Sequence, residues 1–231
     1  LSFAALTTLA VAATAWAAPP TEPETLVNEL DDGEDCEMCH AFPNGPMHQG
    51  DPFHAPMVWQ GSLMATSARD PVFWAAIALA HQDDPAHTED CVRCHAPKAF
   101  LAGRGDAIAI DELTPQDQGG IECDLCHRML DIDLPPDTRF GNALYAIDDV
   151  AVDGKVPKSG PWAYEPGEEP NHPTRQDTEF LPSAESCGIC HDVTTHRERV
   201  DDDGVGMGFS FNEQRTYSEW LNSDFADPIE G

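Results

Sequence analysis

Basic residues are scarce in this chain: 12 Lys and Arg stand against 42 Asp and Glu, for a formal charge of -30 over 231 residues. Such a field argues against nucleic acid and anionic membranes as partners, favours a basic one, and also serves plain solubility. Long apolar periodic runs are equally rare beyond the first residues, and 20 prolines and 17 glycines punctuate the rest. A conventional core is hard to build from that composition. After the first residues no run approaches the roughly 20 apolar residues of a membrane span, and no cysteine lies outside one repeated pattern.

That pattern is Cys-x-x-Cys-His, present four times at Cys36/Cys39/His40, Cys91/Cys94/His95, Cys123/Cys126/His127 and Cys187/Cys190/His191. It reads as covalent c-type haem attachment. Each cysteine forms a thioether to a haem vinyl group, and the two-residue gap lets both sulfurs reach one porphyrin edge while the histidine turns back onto the iron. Cys-x-x-Cys also suits tetrahedral zinc or a thioredoxin-like redox pair. A histidine directly after every second cysteine is not something zinc ribbons need. The sequence therefore predicts four covalently bound haem c groups forming much of the interior, with order coupled to their attachment.

The uncharged run from Leu1 to Ala17 ends in Ala15-Trp16-Ala17 and reads as a partial secretory signal peptide over 1–17, with Ala18 as the mature start. The expected address is periplasmic or extracellular, at the cell surface. Residues 18–35 read as an acidic exposed leader, and 36–231 as the haem-bearing domain. The motif starts at 36, 91, 123 and 187 are unevenly spaced, which excludes a solenoid of equal repeats.

Asp70 as N-cap and Pro71 at the first helical position predict a helix from Pro71 to about His81, with Phe73, Ile77 and His81 on one face. Between the third and fourth motifs, turn residues surround short extended candidates at 143–147 and 150–152, and Asp153-Gly154 suits a tight hairpin turn. Asp201 to Gly204 marks an exposed turn. Thr216 and Glu219 fit a capping box ahead of a short amphipathic helix. The fold class expected is mainly α and loop-rich, with few short strands.

His40, His95, His127 and His191 are the proximal iron ligands on this reading. Six further histidines, His48, His54, His81, His87, His172 and His196, compete for four distal positions. His81 ranks first for its apolar helical face, then His54 and His172. His87 and His196 lie close in sequence to motifs and suit a neighbouring haem, and His48 is the weakest candidate. Met47, Met57, Met64, Met129 and Met207 are alternatives, since methionine ligation raises the reduction potential. Bis-histidine ligation and an acidic surface both favour low potentials. Phe42, Trp59, Trp74, Phe100, Trp162 and Tyr164 are candidate porphyrin packers, and Arg69, Arg93, Arg104 and Arg128 candidate propionate partners.

The stretches Trp59 to Ala65, Arg69 to Trp74, Cys91 to Pro97, Cys187 to Val193 and Arg215 to Leu221 resemble the multihaem cytochromes c related to the tetrahaem electron carrier that accepts electrons from hydroxylamine oxidoreductase. The resemblance implies close-packed haem pairs in a mostly helical, loop-rich fold. In similar proteins the last stretch is soon followed by another haem motif, so a longer protein with at least five haems is expected. The function expected is single-electron transfer between redox partner proteins that dock through basic surfaces. A multihaem oxidoreductase of small nitrogen or sulfur compounds, with one open iron, is the competing class. A subunit of an extracellular cytochrome filament is the third.

Overall fold

The computed structural model describes residues 19–40, 55–131, 141–164, 168 and 171–226. The signal-peptide reading, Phe42, Met47, His48 and His54 lie outside these residues. Nine α-helices occur among the described residues: α1 (Gly33–His40), α2 (Ala55–Gln60), α3 (Leu63–Thr66), α4 (Pro71–Asp83), α5 (Thr88–His95), α6 (Pro97–Leu101), α7 (Cys123–Arg128), α8 (Ala184–Gly188) and α9 (Thr216–Leu221). Strands come in three separate pairs: β1 (Met129–Leu130) with β2 (Ala146–Ile147), β3 (Lys158–Gly160) with β4 (Thr174–Gln176), and β5 (Val193–Val200) with β6 (Gly206–Gln214). The first and third pairs are antiparallel and the second is parallel. No helix among the described residues is long and apolar enough to cross a membrane.

The longest helix, α4, forms as its sequence dictates. The Asp70 side chain accepts the Val72 N–H, Pro71 opens the first turn, and the helix runs to Asp83, two residues past the expected end. Its inner face carries Phe73 and Ile77 into an apolar cluster with Val92, Phe100, Leu125, Tyr145 and Ile189. Alanines 68, 96, 99, 107 and 143 fill much of the same cluster. Large apolar side chains such as Leu63, Val72 and Leu79 stay exposed.

The segment 19–35 shows many side chains to solvent, yet its backbone is tied down along its length. Thr21 N–H donates to Tyr145 O and Glu24 N–H to Leu101 O. The Val27 and Asn28 amides donate to the Asp149 carboxylate, and those of Asp31 and Gly33 to Asp124 and Glu122. Arg128, 1% exposed, completes the seam by donating to the carbonyls of Asn28, Glu29 and Asp148.

Two local expectations need correction. Thr216 is the first residue of α9 rather than its cap: Arg215 occupies the cap position and offers no side-chain hydrogen bond. The region after the fourth motif is also more than a turn followed by a helix, because β5 and β6 pair around Asp201 to Gly204. The Asp153-Gly154 turn forms as expected. Both residues take positive φ, 51° and 81°, and the turn is closed by a Val152–Lys155 bridge.

Candidate functional site

The four motifs lie on short helical turns. Cys36, Cys39 and His40 close α1; Cys91, Cys94 and His95 close α5; Cys123, Cys126 and His127 belong to α7; Cys187 lies in α8, with Cys190 and His191 just beyond it. No disulfide joins any of the eight cysteines, and none is fully buried. Helical backbone places Cys residues three apart on one side of a turn and the following histidine beside the second.

The motifs converge across the chain. Cys36 of the first is hydrogen-bonded to Cys123 of the third, which pushes the Cys36 thiol up and brings Cys123 down to about 7. Cys94 of the second is hydrogen-bonded to Cys190 of the fourth; that contact and burial push the Cys190 thiol up. Cys126 lies near both Cys187 and Cys190, and burial raises its own thiol to about 11. Cys91, Cys94 and Cys190 also pack against the apolar core. The first motif therefore lies against the third and the second against the fourth, with Cys126 of the third close enough to Cys187 and Cys190 to feel their charge.

Four of the histidines, His81, His127, His172 and His191, have a polar partner at Nδ1. A metal-bound histidine normally donates its other ring N–H to a carbonyl, carboxylate or water, which fixes the tautomer. His127 Nδ1 is 2.6 Å from Ser159 O and His172 Nδ1 is 3.0 Å from Pro173 O; with the proton on Nδ1, each keeps an Nε2 lone pair. His81 Nδ1 is 2.8 Å from Thr88 Oγ1. The His191 Nδ1 contact to the Gln214 amide, 2.7 Å, accepts the same tautomer if the amide is turned over. His95 stacks on Phe73 with ring centroids 4.1 Å apart, its Nδ1 buried without a hydrogen-bond partner. Burial pushes the His95 pKa down, so the ring is held in its neutral, metal-binding form.

Ring spacings discriminate further. Two imidazoles on opposite sides of one metal, each at about 2.0–2.1 Å, put their ring centres roughly 6.3 Å apart. His40 and His172 stand 6.5 Å apart with planes inclined by 28°. His87 and His196 are only 4.5 Å apart, and each contacts a carboxylate, Asp84 at 3.3 Å and Asp90 at 3.0 Å. That spacing is too short for those two to share one iron with each other. His81, half-buried beside Ile77, lies at the C-terminal end of α4.

The donor set fits haem c. Sulfurs come in pairs on helical turns, neutral imidazoles follow them, and aromatic side chains, Phe73, Phe100 and Tyr145, are buried alongside. No group of three or more His, Cys, Asp or Glu gathers as ion ligands among the described residues.

The arginines divide differently from the sequence expectation. Arg128 is consumed by backbone carbonyls and Asp124, and Arg104 makes a two-pronged pair with Asp117, 2.7 Å on each arm. Arg128 thus has no free edge for a propionate, whereas Arg104 keeps its side chain 37% exposed. Arg93, inside the second motif, lies over the Phe100 ring at 4.3 Å with its Nε buried and unpaired. Trp59 and Trp74 donate to Ile121 O and Ala68 O, whereas Trp162 and Tyr164 face solvent. Thr88, Ser159, Asn171, Gln214 and Tyr145 were not anticipated at the site. Their partners lie elsewhere in the chain, and no local pattern marks them.

No protein-family model, curated protein or solved structure matches this chain.

Proposed function

We propose that the chain is an exported, periplasmic or cell-surface multihaem c-type cytochrome that carries single electrons between redox partner proteins. The observation that carries this reading is the contact between sulfurs of different motifs, Cys36 with Cys123 and Cys94 with Cys190. Attachment points in mutual contact suit relay between redox centres.

Haem c, when bound, supplies a one-electron iron couple whose potential follows its axial ligands, burial and hydrogen bonding. The chain's residues do the rest. Cys36, Cys39, Cys91, Cys94, Cys123, Cys126, Cys187 and Cys190 hold the groups covalently, and His40, His95, His127 and His191 offer proximal nitrogens. His54, His81, His87, His172 and His196 are the pool from which distal ligands come. Ser159 O and Pro173 O orient the His127 and His172 rings, and Phe73 and Phe100 keep water from the second motif. The charge of -30 steers basic partners toward the surface.

Electron paramagnetic resonance of the oxidised protein tests the reading against the oxidoreductase alternative. A pure carrier gives only low-spin ferric signals. A stoichiometric high-spin signal that shifts on adding nitrite, hydroxylamine or sulfite overturns the carrier assignment.

A further inference from the structure

We infer that His172 is the second axial ligand of the iron held at Cys36, Cys39 and His40, and that the β3–β4 pair, with Asn171 to Pro173 leading into β4, is the strap that holds it there. This rests on the haem reading above. His40 and His172 stand 6.5 Å apart, close to the roughly 6.3 Å expected of two imidazoles on opposite sides of one iron. Their planes are inclined by 28°. The His172 Nδ1 proton goes to Pro173 O at 3.0 Å, which leaves Nε2 as the ligating nitrogen.

The strap is tied to the first attachment site on several sides. Asn171, adjacent to His172, points its Nδ2 at Cys39 Sγ, 3.6 Å away, and its carbonyl accepts Lys155 Nζ. Lys158 N–H donates to Pro173 O at 3.0 Å, so the carbonyl that sets the His172 tautomer is itself held by β3. Lys158 Nζ then reaches Asp124 on α7 and Asp31 ahead of α1. Parallel pairing of Ser159 with Arg175 completes the unit.

The same strap serves the third motif. Ser159 O receives His127 Nδ1 at 2.6 Å, so one short parallel pair sets a ring in each of two motifs whose sulfurs Cys36 and Cys123 touch. Ser159 is thus a positioning residue through its backbone, and its Oγ is held by Arg175. A parallel pair of three-residue strands has little stability of its own, so the ligation and the anchoring lysines hold it in place.

The test uses the full chain matured with haem c, as wild type, His172→Gly and His172→Met. Intact mass should show four haems in all three, because the thioether sites are untouched. In His172→Gly one quarter of the ferric iron should turn from low spin to high spin and return on adding imidazole. In His172→Met one of four midpoint potentials should rise while three stay in place. In a chain also carrying Cys36→Ala and Cys39→Ala, His172→Gly should add no high-spin iron. Four haems with unchanged spin state in His172→Gly, or unchanged potentials in His172→Met where the glycine variant does not accumulate, overturn the pairing alone. A wild type without haem overturns the reading beneath it.

Discussion

Arg128→Met is the perturbation whose size the structure fixes best. The guanidinium is 1% exposed and donates to three backbone carbonyls, Asp148 O at 2.8 Å, Glu29 O at 2.9 Å and Asn28 O at 2.9 Å. It also faces the fully buried carboxylate of Asp124 at 3.2 Å. Methionine fills comparable space and satisfies none of these acceptors. Removing one partner of a buried ion pair costs about 3–5 kcal/mol; Asp124 keeps Lys158 and the Asp31 amide, but the three stranded carbonyls add their own cost, so the loss stays within that range. At about 2–4 °C per kcal/mol for a domain of this size, the melting temperature should fall by about 6–20 °C. Arg104→Met is the control, since its side chain is 37% exposed and Asp117 keeps hydrogen bonds from the Thr114 amide and hydroxyl. That change should cost about 1–2 kcal/mol. Thermal unfolding followed by far-ultraviolet circular dichroism, with haem content checked by mass, compares the two. If Arg128→Met melts no lower than Arg104→Met, the seam between the segment 19–35 and α7 does not carry the stability assigned to it.

Acid should weaken the fold through Asp117. Burial alone raises its carboxyl, but hydrogen bonds from Arg104 and Thr114 outweigh that and hold it below the usual range. A depressed carboxyl contributes stability above its unfolded value of about 3.9, and that contribution is lost as pH falls through the folded value. The melting temperature should drop below about pH 4, and Asp117→Asn should flatten the drop. Two glycines separate backbone strain from crowding. An alanine Cβ at Gly141 would lie 1.7 Å from Asp192 O at φ 88°, whereas Gly154 at φ 81° has nothing within 4 Å. Gly154→Ala should cost about 1–2 kcal/mol, and Gly141→Ala a further ~1–3 kcal/mol, read as urea midpoints; equal midpoints would contradict the close approach of Gly141 to Asp192.

Helix α4 was legible because everything that makes it is local: Asp70 caps Val72, Pro71 opens the turn, and Phe73 and Ile77 share a face. The Asp153-Gly154 turn was legible for the same reason, since both residues tolerate positive φ. The β5–β6 hairpin was missed beyond its turn. Its cue was the alternation of Met207, Phe209 and Phe211, but these side chains are exposed and the register slips three times along the pair. At the candidate site the motifs announce the sulfurs and the proximal histidines by spacing. What spacing cannot carry is that Cys36 meets Cys123, that Ser159 O meets His127, or that Arg128 spends itself on Asn28 and Glu29 one hundred residues away. Those contacts are set by how the chain returns on itself.

The central claim is that iron porphyrins are fixed by thioether bonds at the four Cys-x-x-Cys-His turns. Intact mass of the protein, matured in a host that attaches haem c and then denatured, tests it most directly. The account requires the chain plus four haem groups that survive denaturation. A mass equal to the bare polypeptide, with or without oxidised sulfurs or zinc, would contradict it.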